Sequence, residues 1–358
     1  MIDFTSALYL GMRHASCCLP SWTQLTTGAP AALVEPPGTH QLARAIATLQ
    51  GCEAATFAPS TLHLFWDLFG LLSRNAASIY MDEGVYPIAR WGIERAAARG
   101  ITVHRFRHHD AESLHQLLSE TRRPRVRPLI VTDGFSPGSG RSAPLAMYLE
   151  SARAFEGSLI MDDTQALGIF GYAPDAEAPY GHGGGGMLRR AGLADPRLLV
   201  ISSLAKGFGV PVAVLSGSSA TIASFEEQSD TRVHCSPPSI AHLLAVKQSL
   251  ASNDCQGEAL RSRLVQLVKY FRRRLTAAGF SLGRGFFPVQ TLAGPAHLNW
   301  SQLHERLLQL GVRTVLHQNH RSQKARISFI ITALHTLNHI DDAVDALIQV
   351  TSLQRGSS

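Results

Sequence analysis

The stretch "SSLAKGFGVPV" (residues 202–212) places one lysine, Lys206, among small and apolar residues directly after the strand-like run 198–203. A lysine is seldom buried without a partner, so the ordinary reading is a solvated loop cation. The competing reading is a chemical one. A desolvated amine gives up its proton readily and forms a Schiff base with a carbonyl. The rest of the chain has to supply what such a lysine needs.

The chain has 358 residues, 45% of them hydrophobic and 17% charged, enough for a large core and two domains. No apolar run reaches membrane length, and Met1-Ile2-Asp3-Phe4 lacks the basic and apolar regions of a signal peptide, so a cytoplasmic protein with no membrane partner is expected. The cysteines (Cys17, Cys18, Cys52, Cys235, Cys255) are odd in number and form no CxxC pair. That argues against a disulfide framework and a zinc site, and no metal is expected. A formal charge of +6 and a pI near 9.3 suit an anionic partner, whether nucleic acid or the phosphorylated arm of coenzyme A or a carrier protein. The charges are dispersed, with no basic run and no aromatic-basic interleaving, so nucleic acid is not expected.

Short β-branched runs alternate with helical patterns. Strands are predicted at 77–81, 102–106, 128–132 and 158–161, and helices at 87–98, 111–121 and 144–155. This alternation implies an α/β fold with a mostly parallel sheet covered by helices on both faces, its ligands held at the carboxyl ends of the strands. After Pro237-Pro238 the pattern becomes helical over 240–250 and 258–278. A strand at 289–292, a helix at 300–310, a strand at 325–332 and a helix at 340–350 follow, which reads as a smaller α+β domain. "GHGGGG" (residues 181–186) reads as a flexible loop, since a P-loop would end in Lys-Ser or Lys-Thr.

Three strand ends carry polar residues: "VTDGFSPGSGRSAPL" (131–145), "LIMDDTQALGIFG" (159–171) and "VISSLAKGFG" (200–209). Asp162, leaving a buried strand, needs a cationic or hydrogen-bonding partner, and a protonated pyridine nitrogen would serve. The order DGxxS-like turn, D-D-x-x-x-x-G-x-x-G, S-x-x-K-G-F-G resembles the pyridoxal-phosphate (PLP) enzymes of the α-oxoamine synthase family. "IDFTSALYLG" (2–11) and "ARISFIITALH" (325–335) are similar to that family's opening and closing segments. The resemblance implies a fold-type I PLP-dependent transferase with a seven-stranded-type sheet. It divides the chain into a segment, 1–40, lying on both domains, a large PLP-binding domain, 41–236, and a small C-terminal domain, 237–358. It also implies a homodimer with a shared active site.

The roles it implies are specific. Lys206 would carry PLP as a Schiff base and then move protons at the substrate Cα. Asp162 would keep the ring nitrogen protonated. Ser203 stands where the family usually has a phosphate-binding threonine. Ser60 and Thr61 fall in a turn whose backbone amides meet the phosphate at a helix N-terminus, although a plain N-cap fits their hydroxyls nearly as well. Ser136, just past Asp133-Gly134, would touch the cofactor too.

Three positions depart from the family. In "DEGVYPI" (82–88), Tyr86 replaces the histidine that stacks on the pyridine ring. Gln165 replaces a histidine that hydrogen-bonds the cofactor O3′, and its amide donates the same bond without titrating. Leu316 falls where the family's arginine binds the substrate carboxylate. The candidates to replace that arginine are Arg313, His317, Asn319, His320 and Arg321, with a solvated loop as the plainer reading. Arg326 matches a structural arginine. His234 or Ser236 falls in the region from which the family reaches the phosphate of a neighbouring subunit.

The leading expectation is a PLP-dependent acyltransferase that condenses an amino acid with an acyl thioester to an α-amino ketone, usually with loss of carbon dioxide. An aminotransferase or lyase on the same fold is the alternative, motivated by Tyr86. A non-catalytic subunit is the third reading, opposed by the retained Lys206 and Asp162.

Overall fold

The computed structural model describes residues 1–293, 299–318 and 325–355. Its first half contains β1 (Ile2–Asp3), α1 (Thr39–Gln50), β2 (Ala54–Ala58), α2 (Thr61–Leu72), β3 (Ala77–Asp82), α3 (Pro87–Ala98), β4 (Thr102–Phe106), α4 (Ala111–Thr121) and β5 (Arg127–Asp133). A small hairpin, β6 (Phe135–Ser136) and β7 (Arg141–Ser142), leads to α5 (Leu145–Ala154), β8 (Ser158–Asp162), α6 (Met187–Ala191), β9 (Leu198–Ser203) and β10 (Ala213–Gly217). Then come α7 (Ser219–Gln228), α8 (Asp230–His234), α9 (Ile240–Ala277), β11 (Ser281–Leu282), β12 (Val289–Ala293) and α10 (Trp300–Gln309). The chain closes with β13 (Val312–Arg313), β14 (Val315–Gln318), β15 (Ala325–Ile330) and α11 (Leu337–Arg355).

Seven strands form the main sheet in the order β2-β10-β9-β8-β5-β3-β4, with β10 antiparallel to both neighbours and the others pointing one way. The near-continuous apolar runs of β3, β5, β8 and β9 follow from burial on both faces. Ile79 and Met81 of β3 pack with Leu64, Phe65 and Phe69 of α2, whereas Tyr80 between them turns to the opposite face with Leu114 and Tyr148. A second, antiparallel sheet, β11-β12-β15-β14, packs Phe329 against Phe271 of α9.

Two sequence expectations are corrected. The break expected between 250 and 258 is absent, and α9 runs through as one helix of 38 residues. Arg261, 2% exposed, binds Asn253 Oδ1 at 2.8 Å and Glu258 Oε1 at 2.7 Å within the helix and the Gly168 carbonyl at 3.1 Å outside it, so side-chain bonds and one tertiary bond outweigh the poor helix formers at this turn. The glycine run 181–186 is a close-packed crossing. A Cβ on Gly186, whose φ is +87°, would lie 1.9 Å from Asp163 Oδ2, and one on Gly171 would lie 1.6 Å from the His182 carbonyl oxygen. Among the described residues no helix is long and apolar enough to cross a membrane.

Candidate active site

Because β2, β9, β8, β5 and β3 run the same way, their carboxyl ends share one rim of the sheet. The register sets the neighbours: Ala58 and Ser203 both pair with Ala213, Asp162 pairs with Ile201, and Asp133 pairs with Asp162. The polar residues at these ends are therefore brought together by topology. Ser60 and Thr61 follow β2, Lys206 follows β9, and Asp162 and Asp133 end adjacent strands about 5 Å apart.

Lys206 lies in the turn after β9 and is half-buried, whereas Lys247 and Lys269, the other described lysines, are exposed. Desolvation lowers its pKa, opposed by the charges of Asp162 and Asp133. Burial raises the pKa of Asp162, against the hydrogen bonds from Thr164 and the charge of Lys206. One Asp162 oxygen accepts the Thr164 N–H at 2.9 Å, and the Thr164 side chain bonds the carboxyl as well. Asp133 is pushed up to about 8 by burial and then by Asp162.

Tyr86 stands at the N-cap position of α3, with no capping bond from its side chain, in a turn fixed by buried Asp82, which accepts from Gly84 N at 2.7 Å, His108 Nδ1 at 2.7 Å and His109 N at 2.9 Å. Asp82, His108 and His109 lie close enough together to hold a metal, but both Asp82 oxygens are already taken up by these hydrogen bonds. His109 is pushed down to about 4 by burial and by His108, and stays neutral. The Tyr86 N–H donates to Asp133 Oδ1 at 3.2 Å, tying this turn to the paired carboxyls, while its ring stays 53% exposed. Gln165, in the turn after β8, accepts from the buried Tyr9 hydroxyl at 2.7 Å. The Ser203 N–H donates to Thr164 Oγ1 at 2.9 Å, which locks the D-D turn to the lysine turn.

Ser60 begins α2, yet its hydroxyl does not cap the helix, contrary to the N-cap alternative. It bonds His63 Nδ1 at 2.9 Å, and no side chain accepts from the first-turn amides. Ser136 lies in the hairpin immediately after Asp133 and is half-buried. His317 is on a strand rather than in a solvated loop: it belongs to β14 of the second sheet and bonds Ser328 Oγ at 2.9 Å. No contact among the described residues ties it to the Lys206 cluster. Asn319, His320 and Arg321 lie outside the described residues. Sequence reasoning missed Asp133 and Thr164 as members of the cluster, and Tyr9 as the partner of Gln165. Only the strand register and a contact across 156 positions reveal them.

The arrangement fits pyridoxal phosphate. An uncapped helix start and the Ser203 hydroxyl suit a phosphate, the buried Asp162 carboxyl a protonated ring nitrogen, the Lys206 amine an aldehyde, and the exposed Tyr86 ring an aromatic face. A family model described as aminotransferase class I and II matches residues 1–347. The chain is 26% identical over 315 residues to the 8-amino-7-oxononanoate synthase of Symbiobacterium thermophilum, covering 87% of this chain and 76% of that one. Its fold is similar to a lysine-to-alanine variant of serine palmitoyltransferase from S. paucimobilis with a bound PLP-myriocin aldimine (TM-score 0.82, 15% identity, 97% of this chain and 86% of that one). It is also similar to the 8-amino-7-oxononanoate synthase of Francisella tularensis (TM-score 0.74, 18% identity, 99% and 98%).

Proposed function

The chain belongs to the aminotransferase class I and II family, and from that premise we propose that it is a PLP-dependent acyltransferase joining the Cα of an amino acid to the acyl group of a thioester. The carrying observation is the half-buried Lys206, its amine pKa lowered by desolvation, set beside the Asp162 and Asp133 carboxyls at neighbouring strand ends. When bound, PLP supplies an electron sink for negative charge at the substrate Cα.

The residues of the chain then divide the work. Lys206 would hold the cofactor through its aldehyde and would move protons at the substrate Cα. Asp162 holds a proton on the ring nitrogen, Tyr86 covers one ring face, and Gln165 Nε2 donates to O3′. The first-turn amides of α2 and the Ser203 hydroxyl hold the phosphate. The overall reaction consumes an amino acid and an acyl thioester, and releases an α-amino ketone, the thiol and, in the decarboxylative form, carbon dioxide. In the same reading two copies form a dimer, with His234 or Ser236 reaching the partner's phosphate. With Tyr86, Gln165 and Leu316 each replacing a family side chain, the substrates differ from pimeloyl thioester and alanine.

The test is thiol release from acyl-CoA and acyl-carrier protein donors across a panel of amino acids with PLP present. Release that needs both substrates is the expected result. No release from any pair, with the amino acid converting PLP to its pyridoxamine form, would make the protein an aminotransferase.

A further inference from the structure

Gln165 is a side chain whose two ends differ in chemistry but hardly in shape, so a 180° flip exchanges a donor for an acceptor. A residue serving as a donor in this position needs something to set the flip. Tyr9 is placed to do so. Its ring is 1% exposed and packs edge-on against Phe287 with centroids 5.4 Å apart, and its carbonyl accepts the Ala333 N–H at 2.8 Å. The phenol is therefore held by the N-terminal segment and by residue 333 together.

Its hydroxyl donates to Gln165 Oε1 at 2.7 Å and has no other hydrogen-bond partner among the described residues. Burial pushes the phenol pKa up, so the group stays neutral and keeps its proton to donate. Were the amide flipped, its NH2 would face the phenol oxygen. The buried O–H would then lose its acceptor, a cost of about 1–3 kcal/mol. The same flip would put the amide carbonyl where the NH2 now stands, and a carbonyl there would repel an anionic oxygen rather than bind it. In the observed orientation Gln165 Nε2 has no partner among the described residues, and the side chain is half-buried.

We propose that Tyr9 is a positioning residue that sets the Gln165 amide with its NH2 toward O3′ of bound PLP. The inference rests on the PLP reading above. It implies that the N-terminal segment, rather than a titrating side chain at position 165, fixes the hydrogen bond at this oxygen. Such a donor stabilises the O3′ charge most when the lysine-cofactor nitrogen has lost its proton, so it lowers the pH midpoint of the visible absorbance band.

The test is a pH titration of that band with PLP bound, in wild type, Tyr9→Phe, Gln165→Met and the double variant. A charge-assisted hydrogen bond is worth about one pH unit or slightly more, so each single variant should raise the midpoint by roughly that amount. The double variant should rise no further, because both changes remove one interaction. Asp162 and Asp133, which face Lys206, are the same in all four proteins. An unchanged midpoint in either single variant, or additive shifts in the double, would overturn the inference. Gln165→Glu keeps an acceptor for the phenol and loses the donor, so it should also raise the midpoint. If Tyr9→Phe does not fold, that variant decides, and an unshifted midpoint in it overturns the inference. Absence of any visible band in wild type would instead overturn the PLP reading itself.

Discussion

At the scale of residues, the cluster is a competition between desolvation and charge. Lys206 and Asp162 were legible in the sequence, because a lysine among small residues and an acid leaving a buried strand each need a chemical reason. Asp133 was legible only as part of a polar strand end, with no role of its own. Its meaning comes from the register that sets it beside Asp162. Asp133 keeps its proton in the fold up to about pH 8, against an ordinary value near 3.8. Over that window the folded state binds a proton that the unfolded chain has released, so stability falls as pH rises from about 4 to about 8. Asp133→Asn should make this slope shallower in the apoprotein, with Asp162, whose pKa burial also raises, keeping a part of it. The variant is expected to melt above wild type at pH 8 and near it at pH 4, and an unchanged slope in thermal melts would contradict the assignment. Ser60→Ala should change apoprotein stability by no more than about 0.5 kcal/mol, because the hydroxyl caps nothing. A loss near 1 kcal/mol, the usual worth of an N-cap, would count against that geometry.

At the scale of elements, the alternating strands and helices of the main sheet were readable from period and β-branching. The glycine run and the middle of α9 were not. Both are decided by partners distant in sequence: Asp163 for the crossing at Gly186, and Gly168 with Arg261 for the helix turn at Asn253. Composition alone makes such segments look like loops. Gly186 must hold φ +87° with no room for a Cβ, and Asp163 Oδ2 beside it accepts the Met187 N–H at 2.9 Å. Gly186→Ala should therefore cost about 2–4 kcal/mol in urea unfolding, from backbone strain together with the displaced carboxyl. A loss below 1 kcal/mol would mean that the crossing is loose. Because the same loop packs against the D-D turn, the variant should also bind PLP more weakly.

At the scale of the whole molecule, residues 1–14 join the two sheets. Phe4 stacks on His335 with centroids 4.4 Å apart, β1 pairs with β13, Tyr9 reaches Gln165, and His14 Nε2 bonds the Phe208 carbonyl at 2.8 Å, two residues past Lys206. Phe4, 0% exposed, should lose about 3–5 kcal/mol on mutation to Ala, with weaker PLP binding as the segment loosens. The proposed dimer should sediment at twice 38.8 kDa. The central claim is that Lys206 carries the cofactor, and the composition makes it easy to test. The chain has only four lysines, Lys206, Lys247, Lys269 and Lys324. The decisive measurement is borohydride reduction of the protein with PLP, followed by digestion and mass spectrometry. One reduced pyridoxyl adduct is expected, on the Lys206 peptide, absent from a folded Lys206→Ala variant. An adduct on another lysine in place of Lys206, or none at all, would contradict the claim.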